Sequence, residues 1–463
     1  MPRDDARALT LLNEHGRTAT AFQVLAPGMH HWFAHSTGMV GYIDTGSAWV
    51  VAGEPVASRD NTIPAAEEFV AHAEASGKRV AFFATEGALA SSPRFHRVLI
   101  GEQPVWNPME WPQTLRASRS LREQLRRARA KGVVVRTVAA SDHATDAALS
   151  RLMERWLATR AMPAMHFLVE LEPFVQRDSR RLFVAERGGE VVAFLSLAPV
   201  SARNGWLFEH LLRDPVAANG TAELLVDFAM QQLRAENVTW ATLGLAPLSG
   251  SVVGWLRIAR SVARPLFNFA GLAAFKRKLR PSSWEAIYLA YPRERSSLLA
   301  MRDGLRAFAG RSLIGFGLHT VLRGPAPLLR ALEYSLIPWT VALLLWPASP
   351  WFPSPAVKWL WVTFDVVLLG ALYRLRQRPT QRLATAAATA VTMDTVVTLA
   401  QASLWNVSRA RTALDLLMIT GACAGPALAA VVLWGAVRRR AVLDRHTQHS
   451  TRVSYVDEPG PPI

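Results

Sequence analysis

The sequence predicts a two-part integral membrane protein: a large α/β module expected to face the cytosol, then an all-α bundle of about four membrane-spanning helices. Three observations carry this. The first three hundred or so residues alternate apolar and charged positions as a water-soluble domain does, whereas beyond Ala331 the apolar runs become long enough to cross a bilayer. Within the leading part, strand-like runs alternate with helical ones. Arginines gather at particular loops between the apolar runs, which is how membrane helices are oriented.

Taken in order, the leading part opens with strand-like pieces at Met39–Ile43, Ala48–Val51 and Arg79–Ala84, and a helical piece at Ile63–Ala75. Next comes a basic helix. Ser120 and Glu123 make a capping-box pattern at its start and Gly132 ends it. Arg119, Arg122, Arg126 and Arg129 recur at spacings of three and four, so they share one side, and Arg127 and Lys131 flank them. One glutamate faces six basic side chains over Arg119–Lys131, a density that suits phosphate contact better than simple solvation.

From Arg181 to Val200 two β-rich runs flank Arg187-Gly188-Gly189-Glu190, a hairpin signal. Trp206–Leu211 reads as a strand leading into the turn-rich Arg213-Asp214-Pro215-Val216-Ala217-Ala218-Asn219-Gly220. Thr221 is placed to cap a helix that turns Leu224, Leu225, Phe228 and Leu233 to a core, and Thr239–Leu245 reads as the next strand. Hairpin, strand, loop, helix, strand is an α/β layout whose helix start can bind anions. The first 110 residues repeat the rhythm more weakly, as two lobes of related fold would.

The apolar stretches are Ala331–Pro347, Ala356–Tyr373, Leu383–Leu404 and Thr412–Val437. Arg374, Arg376, Arg378 and Arg382 lie between the second and third, and Arg438, Arg439, Arg440 and Arg445 follow the fourth, so both termini are expected on the cytoplasmic side. The opening Met1-Pro2-Arg3-Asp4-Asp5 has no apolar run of a secretory leader, in keeping with that placement. Asp365 and Asp394 fall inside spans, where an ionisable group should face the bundle interior, as a functional group or as an interhelical hydrogen bond. A net charge of +16 points to an anionic partner, phospholipid or nucleic acid. The single cysteine, Cys423, excludes an internal disulfide framework and a cysteine-based metal site.

Four segments in order resemble the C-terminal catalytic domain of the phosphatidylglycerol lysyltransferases, the aminoacyl-phosphatidylglycerol synthases or multiple peptide resistance factors. They are Gly220-Thr221 with its helix, Leu243 to Gly250 (Leu-Gly-Leu-Ala-Pro-Leu-Ser-Gly), Phe267 to Leu279, and Trp284 to Ala290. Gly53-Glu54-Pro55-Val56 and Gly101-Glu102 sit where that family has similar turns, and the likeness spans roughly residues 20–295. The resemblance implies tandem acetyltransferase-like lobes that move an aminoacyl group from a charged tRNA to a headgroup hydroxyl of phosphatidylglycerol. It implies aminoacyl-tRNA and anionic phospholipid as partners and no cofactor.

The resemblance also carries site residues. Lys276 and Lys278 match the family's basic segment and would hold the tRNA end or a lipid phosphate, or stabilise developing negative charge. Arg213 matches the arginine ahead of the glycine turn, and Glu223 matches an early-helix carboxylate, as a base, an amine-orienting group or a helix-dipole partner. The family's aspartate three residues before that arginine is His210 here, with Glu209 beside it; His210 is either a general base near neutral pH or a hydrogen-bonded structural histidine. Arg119, Arg122, Arg126 and Arg129 would receive the tRNA backbone. The membrane helices follow the catalytic module, whereas the family's flippase precedes it, so flipping is not implied.

The expected organisation is an N-terminal lobe at 1–117, a basic connecting helix and linker at 118–150, a catalytic lobe at 151–295, a juxtamembrane linker at 296–330, the membrane region at 331–440 and a polar tail at 441–463. No metal site is expected: His30, His31 and His35 have no acidic third ligand nearby. There is no P-loop, dinucleotide fingerprint or Gly-x-Ser-x-Gly elbow. Two other functions compete. An acyl-thioester donor would want a glycine-rich pyrophosphate loop, but Pro215 removes an N–H from the loop present. A membrane scaffold with a decayed site draws on the altered His210, and Lys276 stands against it.

Overall fold

Alternation of apolar and polar residues in the leading part is realised as one mixed sheet. The computed structural model describes residues 2–35, 38–89, 92–160, 164–257, 268–310, 312–323, 325–345, 347, 351–377 and 380–456. They divide into two compact units, residues 1–157 with 164–316, and residues 158–163 with 317–463.

The first unit begins with α1 (Pro2–His15), β1 (His30–Ala34), β2 (Gly38–Asp44) and β3 (Ala48–Ala52). The short β4 (Val56–Ala57), α2 (Thr62–Ala75), β5 (Arg79–Thr85) and the long β6 (Phe95–Trp106) follow. After α3 (Trp111–Ala117) and α4 (Arg119–Ala130) come β7 (Val134–Val138), α5 (Asp146–Ala158), β8 (Arg181–Arg187), β9 (Glu190–Val200) and β10 (Gly205–Arg213). Then α6 (Thr221–Ala235) leads to β11 (Trp240–Thr242), β12 (Ala246–Pro247), α7 (Phe269–Lys278), β13 (Ser283–Pro292) and α8 (Ser297–Phe308).

The strand order is β1-β2-β3-β5-β13-β6-β11-β10-β9-β8-β7, with β4 on β2 and β12 on β6. Each half has an antiparallel run closed by one parallel pair across a helix: β3–α2–β5 and β10–α6–β11. These are the tandem acetyltransferase-like lobes. They are interlocked, because β13, the last strand of the second lobe, runs between β5 and β6 of the first. The turn at Gly188-Gly189 has φ of +57° and +77°, which lets Arg187 pair with Glu190 across the predicted hairpin.

Packing explains the helices. α4 turns Leu121, Leu125 and Ala128 into a core shared with Leu225, Ala229 and Leu233 of α6, so it lies on the second lobe. Its cap differs from the expected box: the Ser118 hydroxyl, two residues earlier, accepts from the Leu121 N–H, and Glu123 pairs with arginines instead. Gly132, φ +75°, does follow the helix. The stretch from 296 is not all linker. Asp303 on α8 is buried and accepts from Arg79 Nη2 at 2.7 Å and Nε at 2.8 Å, which joins α8 to the sheet.

In the second unit, three helices among the described residues are long and apolar enough to span a bilayer: Pro355–Gln377, Gln381–Arg409 and Ala413–Gly435. The expected first span is instead a shorter apolar stretch, Leu332–Leu345, at the end of the helix Pro325–Leu345. Ala384, Ala387, Ala388 and Val391 recur on one helix face and pack against Val432 and Leu433, small side chains permitting close approach. Leu360, Val367, Leu404 and Leu417 point outward, as lipid-facing residues do. Asp365 accepts from Thr340 on another helix at 3.4 Å, whereas Asp394 takes Thr398 one turn along its own helix at 3.1 Å.

Candidate active site

β10 and β11 run side by side only from Gly205 to Leu207, opposite Trp240 to Thr242. Beyond that β10 continues to Arg213 against β9, while the chain after β11 swings away to pair as β12 with β6. The parting strands leave the carbonyls of Leu243, Gly244 and Leu245 without ladder partners. Lys276, reaching in from α7, donates one N–H to each at 2.8 Å.

Those contacts revise the expected role of Lys276. The ammonium has three donors and all three go to backbone. At 4% exposure it presents none to a phosphate, so it is a positioning residue that holds the loop lining the opening. Burial pushes its amine down to about 7. The carbonyls act the other way, since only the ammonium supplies three donors. Its presence therefore no longer argues against a decayed site.

Lys278 and Glu223, assigned separately from sequence, form an ion pair at 2.8 Å, the carboxylate buried and the amine one-third exposed. The remaining motif segments also meet. Gly101, φ +154°, lies opposite Pro247, the Leu248 N–H reaches the Ile100 carbonyl at 2.7 Å, and the Glu102 N–H donates to the Ser249 hydroxyl at 3.0 Å. Gly250, φ +73°, lies where any Cβ would strike the Glu102 carboxylate. Gly220, φ +95°, abuts the Gln124 carbonyl of α4, again leaving no room for a side chain. Thr221 does not cap α6 through its side chain; Gly220 occupies the cap position and the Thr221 hydroxyl donates back to Ala218 at 2.7 Å. Phe267 lies outside the described residues.

His210 sits beside an irregularity in β10, where the register with β9 shifts between Phe208 and His210. The extra residue puts Glu209 and His210 on the same side, 3.6 Å apart. Glu209 is ion-paired with buried Arg180 and accepts from Gln23 at 3.1 Å. Burial, with the Arg180 charge adding to it, pushes the His210 imidazole down to about 3. It is neutral at physiological pH and too weak a base for the role expected near neutrality. Gln23 and Arg180 escaped the sequence reading, because nothing local marks a partner at separations of 186 and 29 residues.

Arg213 ends β10, half-buried, and its side chain makes no hydrogen bond or ion pair with any described residue. The neighbouring Asp214 is tied to Arg155 at 2.7 Å. On α4 the four predicted arginines differ. Arg119 has no such contact among the described residues; Arg122 caps α3 through the Leu115 and Arg116 carbonyls. Arg126 pairs with Glu123 at 2.9 Å, and Arg129 with Asp227 at 2.9 Å. Arg126 and Arg127 hold the Glu123 carboxyl down at about 2. Asp227, 1% exposed, also receives the Trp111 indole, so Arg129 belongs to the α4–α6 packing. Among the described residues no three His, Cys, Asp or Glu side chains are grouped to hold a metal, and His31 bonds to the Val24 carbonyl at 2.9 Å.

This arrangement has counterparts. Residues 9–291 match the family model for the phosphatidylglycerol lysyltransferase C-terminal domain. An uncharacterised protein of Corynebacterium glutamicum is 23% identical over 316 residues, covering 63% of this chain and 39% of that one. The phosphatidylglycerol lysyltransferase of Bacillus subtilis is 24% identical over 316 residues, covering 64% of this chain and 36% of its own length. This chain thus spans less than two-fifths of either relative. Among solved structures, a C-terminal DUF2156 domain from Agrobacterium fabrum shares the fold with a TM-score of 0.58 at 23% identity, covering 67% of this chain and 99% of its own. The L-PGS structure from Bacillus licheniformis does so at 0.57 and 18%, covering 68% and 97%. The matched region takes in every motif segment that meets around the β10–β11 opening, and the chain belongs to the family of phosphatidylglycerol lysyltransferase C-terminal domains.

Proposed function

We propose that this protein is a membrane-bound transferase that moves an aminoacyl group from aminoacyl-tRNA to the headgroup hydroxyl of an anionic phospholipid such as phosphatidylglycerol. One observation carries the reading: three of the segments shared with the family, Gly220-Thr221, residues 243–250 and the α7 segment, come together where β10 and β11 part. Lys276 holds the 243–245 carbonyls, and the Lys278–Glu223 pair and Arg213 lie at the ends of the same elements. An aminoacyl-tRNA is an activated ester. The headgroup oxygen attacks its carbonyl carbon, a tetrahedral oxyanion forms, and the bond to the tRNA ribose oxygen breaks. The proton lost by the headgroup hydroxyl ends on that ribose oxygen, so ester exchange needs no further co-reactant.

Positioning, proton transfer and oxyanion stabilisation are what a protein adds to such a reaction. Arg213, with no partner among the described residues, is a free cation for a phosphate or the oxyanion. Lys278 shields Glu223 until a substrate anion draws the amine away, which leaves a carboxylate able to accept the hydroxyl proton. Arg119 and Arg126, exposed on α4, meet the tRNA backbone. A thioester donor is disfavoured, because the turn before α6 is packed against the Gln124 carbonyl and carries Pro215. The loop arginines support an inner-membrane protein with the catalytic unit in the cytosol. Lipids extracted from cells with and without the protein should differ by one aminoacylated phospholipid. RNase treatment of a lysate should abolish its formation, and full activity after RNase would remove tRNA as donor.

A further inference from the structure

The motif Gly53-Glu54-Pro55-Val56 takes no part in the β10–β11 opening. It lies at the carboxyl ends of β3 and β5, the parallel pair of the first lobe, where open α/β sheets bind ligands. Gly53, φ +75°, passes so close to Thr18 and Thr20 that no side chain fits. Glu54, buried, accepts the N–H groups of Glu86, Gly87 and Ala88 at 3.2, 3.0 and 2.8 Å and so fixes the loop after β5. Glu86 accepts the Ala19 N–H at 2.8 Å and is ion-paired with Arg203, which also holds Glu285 at 3.1 Å. These contacts frame a cavity of about 550 Å³ whose polar lining includes Arg17, Arg59, Arg203, Thr18, Thr62 and Glu54 itself.

Its charges are uneven. The two carboxylates and Arg203 are engaged with protein groups. The side chains of Arg17 and Arg59 make no hydrogen bond or ion pair with any described residue, yet both line the cavity. Burial, and then the neighbouring charges of Arg59 and Arg203, draw the Arg17 guanidinium below its usual range, with Glu54 and Glu86 pulling the other way. Glu54 is occupied by three backbone N–H groups and Glu86 by Arg203 and the Ala19 N–H, which leaves the unbonded Arg17 and Arg59 guanidiniums in the hollow as donors for an anion.

We infer that this first-lobe cavity binds the phosphodiester of the acceptor lipid's headgroup through Arg17 and Arg59. The inference rests on the proposed reaction, in which the amino acid's own carboxyl is esterified and carries no charge, so the acceptor supplies the small anion. A polynucleotide presents phosphates in series and suits an exposed track such as α4, whereas a confined hollow with two free guanidiniums suits one headgroup.

The test measures binding of sn-glycero-3-phosphoglycerol to the purified full chain in an uncharged detergent, by calorimetry, with no turnover. Arg17→Gln and Arg59→Gln should each weaken binding by about 10-fold and together by about 100-fold, as for loss of a charge-assisted hydrogen bond. Arg17→Lys should recover part of the loss. Unbonded to the described fold, both residues can be replaced without unfolding, which near-UV circular dichroism checks. Glycerol should not compete. Competition by inorganic phosphate as strong as by the headgroup would make this a free-phosphate site, and displacement by a short RNA would make it a nucleic-acid site; either overturns the inference. Aminolipid formed by the wild type, with headgroup binding absent or indifferent to both arginines, sinks the inference and leaves the reaction standing. Arginine-dependent headgroup binding supports it even where no aminolipid forms.

Discussion

Replacing Lys276 with methionine keeps most of the side-chain volume and removes every donor. Three carbonyls, on Leu243, Gly244 and Leu245, then lose N–H partners at 2.8 Å in a place closed to water. Hydrogen bonds to a charged group contribute about 1.5–3 kcal/mol each, but keeping an ammonium out of water opposes them by several kcal/mol. Each buried carbonyl left without a donor costs about 1–3 kcal/mol, and the ammonium's relieved desolvation offsets part of that, so the net loss is a few kcal/mol. Lys276→Met should therefore lower the thermal unfolding temperature of the detergent-solubilised chain. It should also raise amide hydrogen exchange across residues 240–250, and aminolipid formation should fall with the loop. The decisive outcome is the combination. Lost activity with unchanged unfolding and unchanged exchange would mean that Lys276 touches substrate, and the positioning argument would be wrong.

Other expectations follow from the same geometry. Arg213→Gln should leave stability within about 0.5 kcal/mol, because no described residue holds the guanidinium, while turnover drops about 30- to 1,000-fold; an unfolding shift as large as that of Lys276→Met would contradict this. Gly220→Ala should destabilise by about 2–5 kcal/mol, from a positive φ and collision with the Gln124 carbonyl, read by thermal unfolding. His210 has a folded pKa near 3 and an unfolded one near 6.5, so the unfolded chain binds its proton first as pH falls. The contribution is fully present above pH 6.5 and is lost progressively toward pH 3, by a few kcal/mol; His210→Asn should flatten that part of the stability profile. On α4, Arg119→Gln should only reduce the salt dependence of tRNA binding, whereas Arg129→Gln should also destabilise the fold by about 1–3 kcal/mol by unpairing Asp227.

Much of this fold is visible in local pattern. The Gly188-Gly189 hairpin, the β10-loop-α6 unit and the strand at Ala48–Val51 each follow from period and turn chemistry within a short window. What eluded the pattern depends on distant partners. The spacing of Arg119, Arg122, Arg126 and Arg129 gives a shared side of a helix, but it cannot say that Arg129 will find Asp227 nearly a hundred residues on. Ser120 and Glu123 satisfy a capping rule, yet the chain enters α4 through Ser118, because α3 ends directly before it. A lysine in a basic segment looks like a phosphate ligand until three carbonyls more than thirty residues away are seen to need it. His210 reads as a titratable base from its intrinsic pKa, and only its burial, with the Arg180 charge beside it, reverses that. In each case the residue type was legible and its surroundings were not.

The exchange of strands between lobes bears on how the two polar sites are related. β13 and β6 are neighbours, and β6 contributes to both sites. Gly101 and Glu102 of β6 brace the 246–250 segment below the β10–β11 opening, while Gln103, the next residue, bonds Glu86 at 3.2 Å and Glu285 at 2.9 Å. Glu285 belongs to β13 and shares Arg203 with Glu86, at the wall of the first-lobe cavity. Successive residues on a strand point to opposite faces, so Glu102, beside Gly250, and Gln103, bonded to Glu86 and Glu285, let one strand serve one site and then the other. An acetyltransferase-like lobe with its own closing strand would have no such connection. The strand exchange gives a physical reason why a two-substrate reaction would retain both lobes even if the chemistry itself takes place in only one.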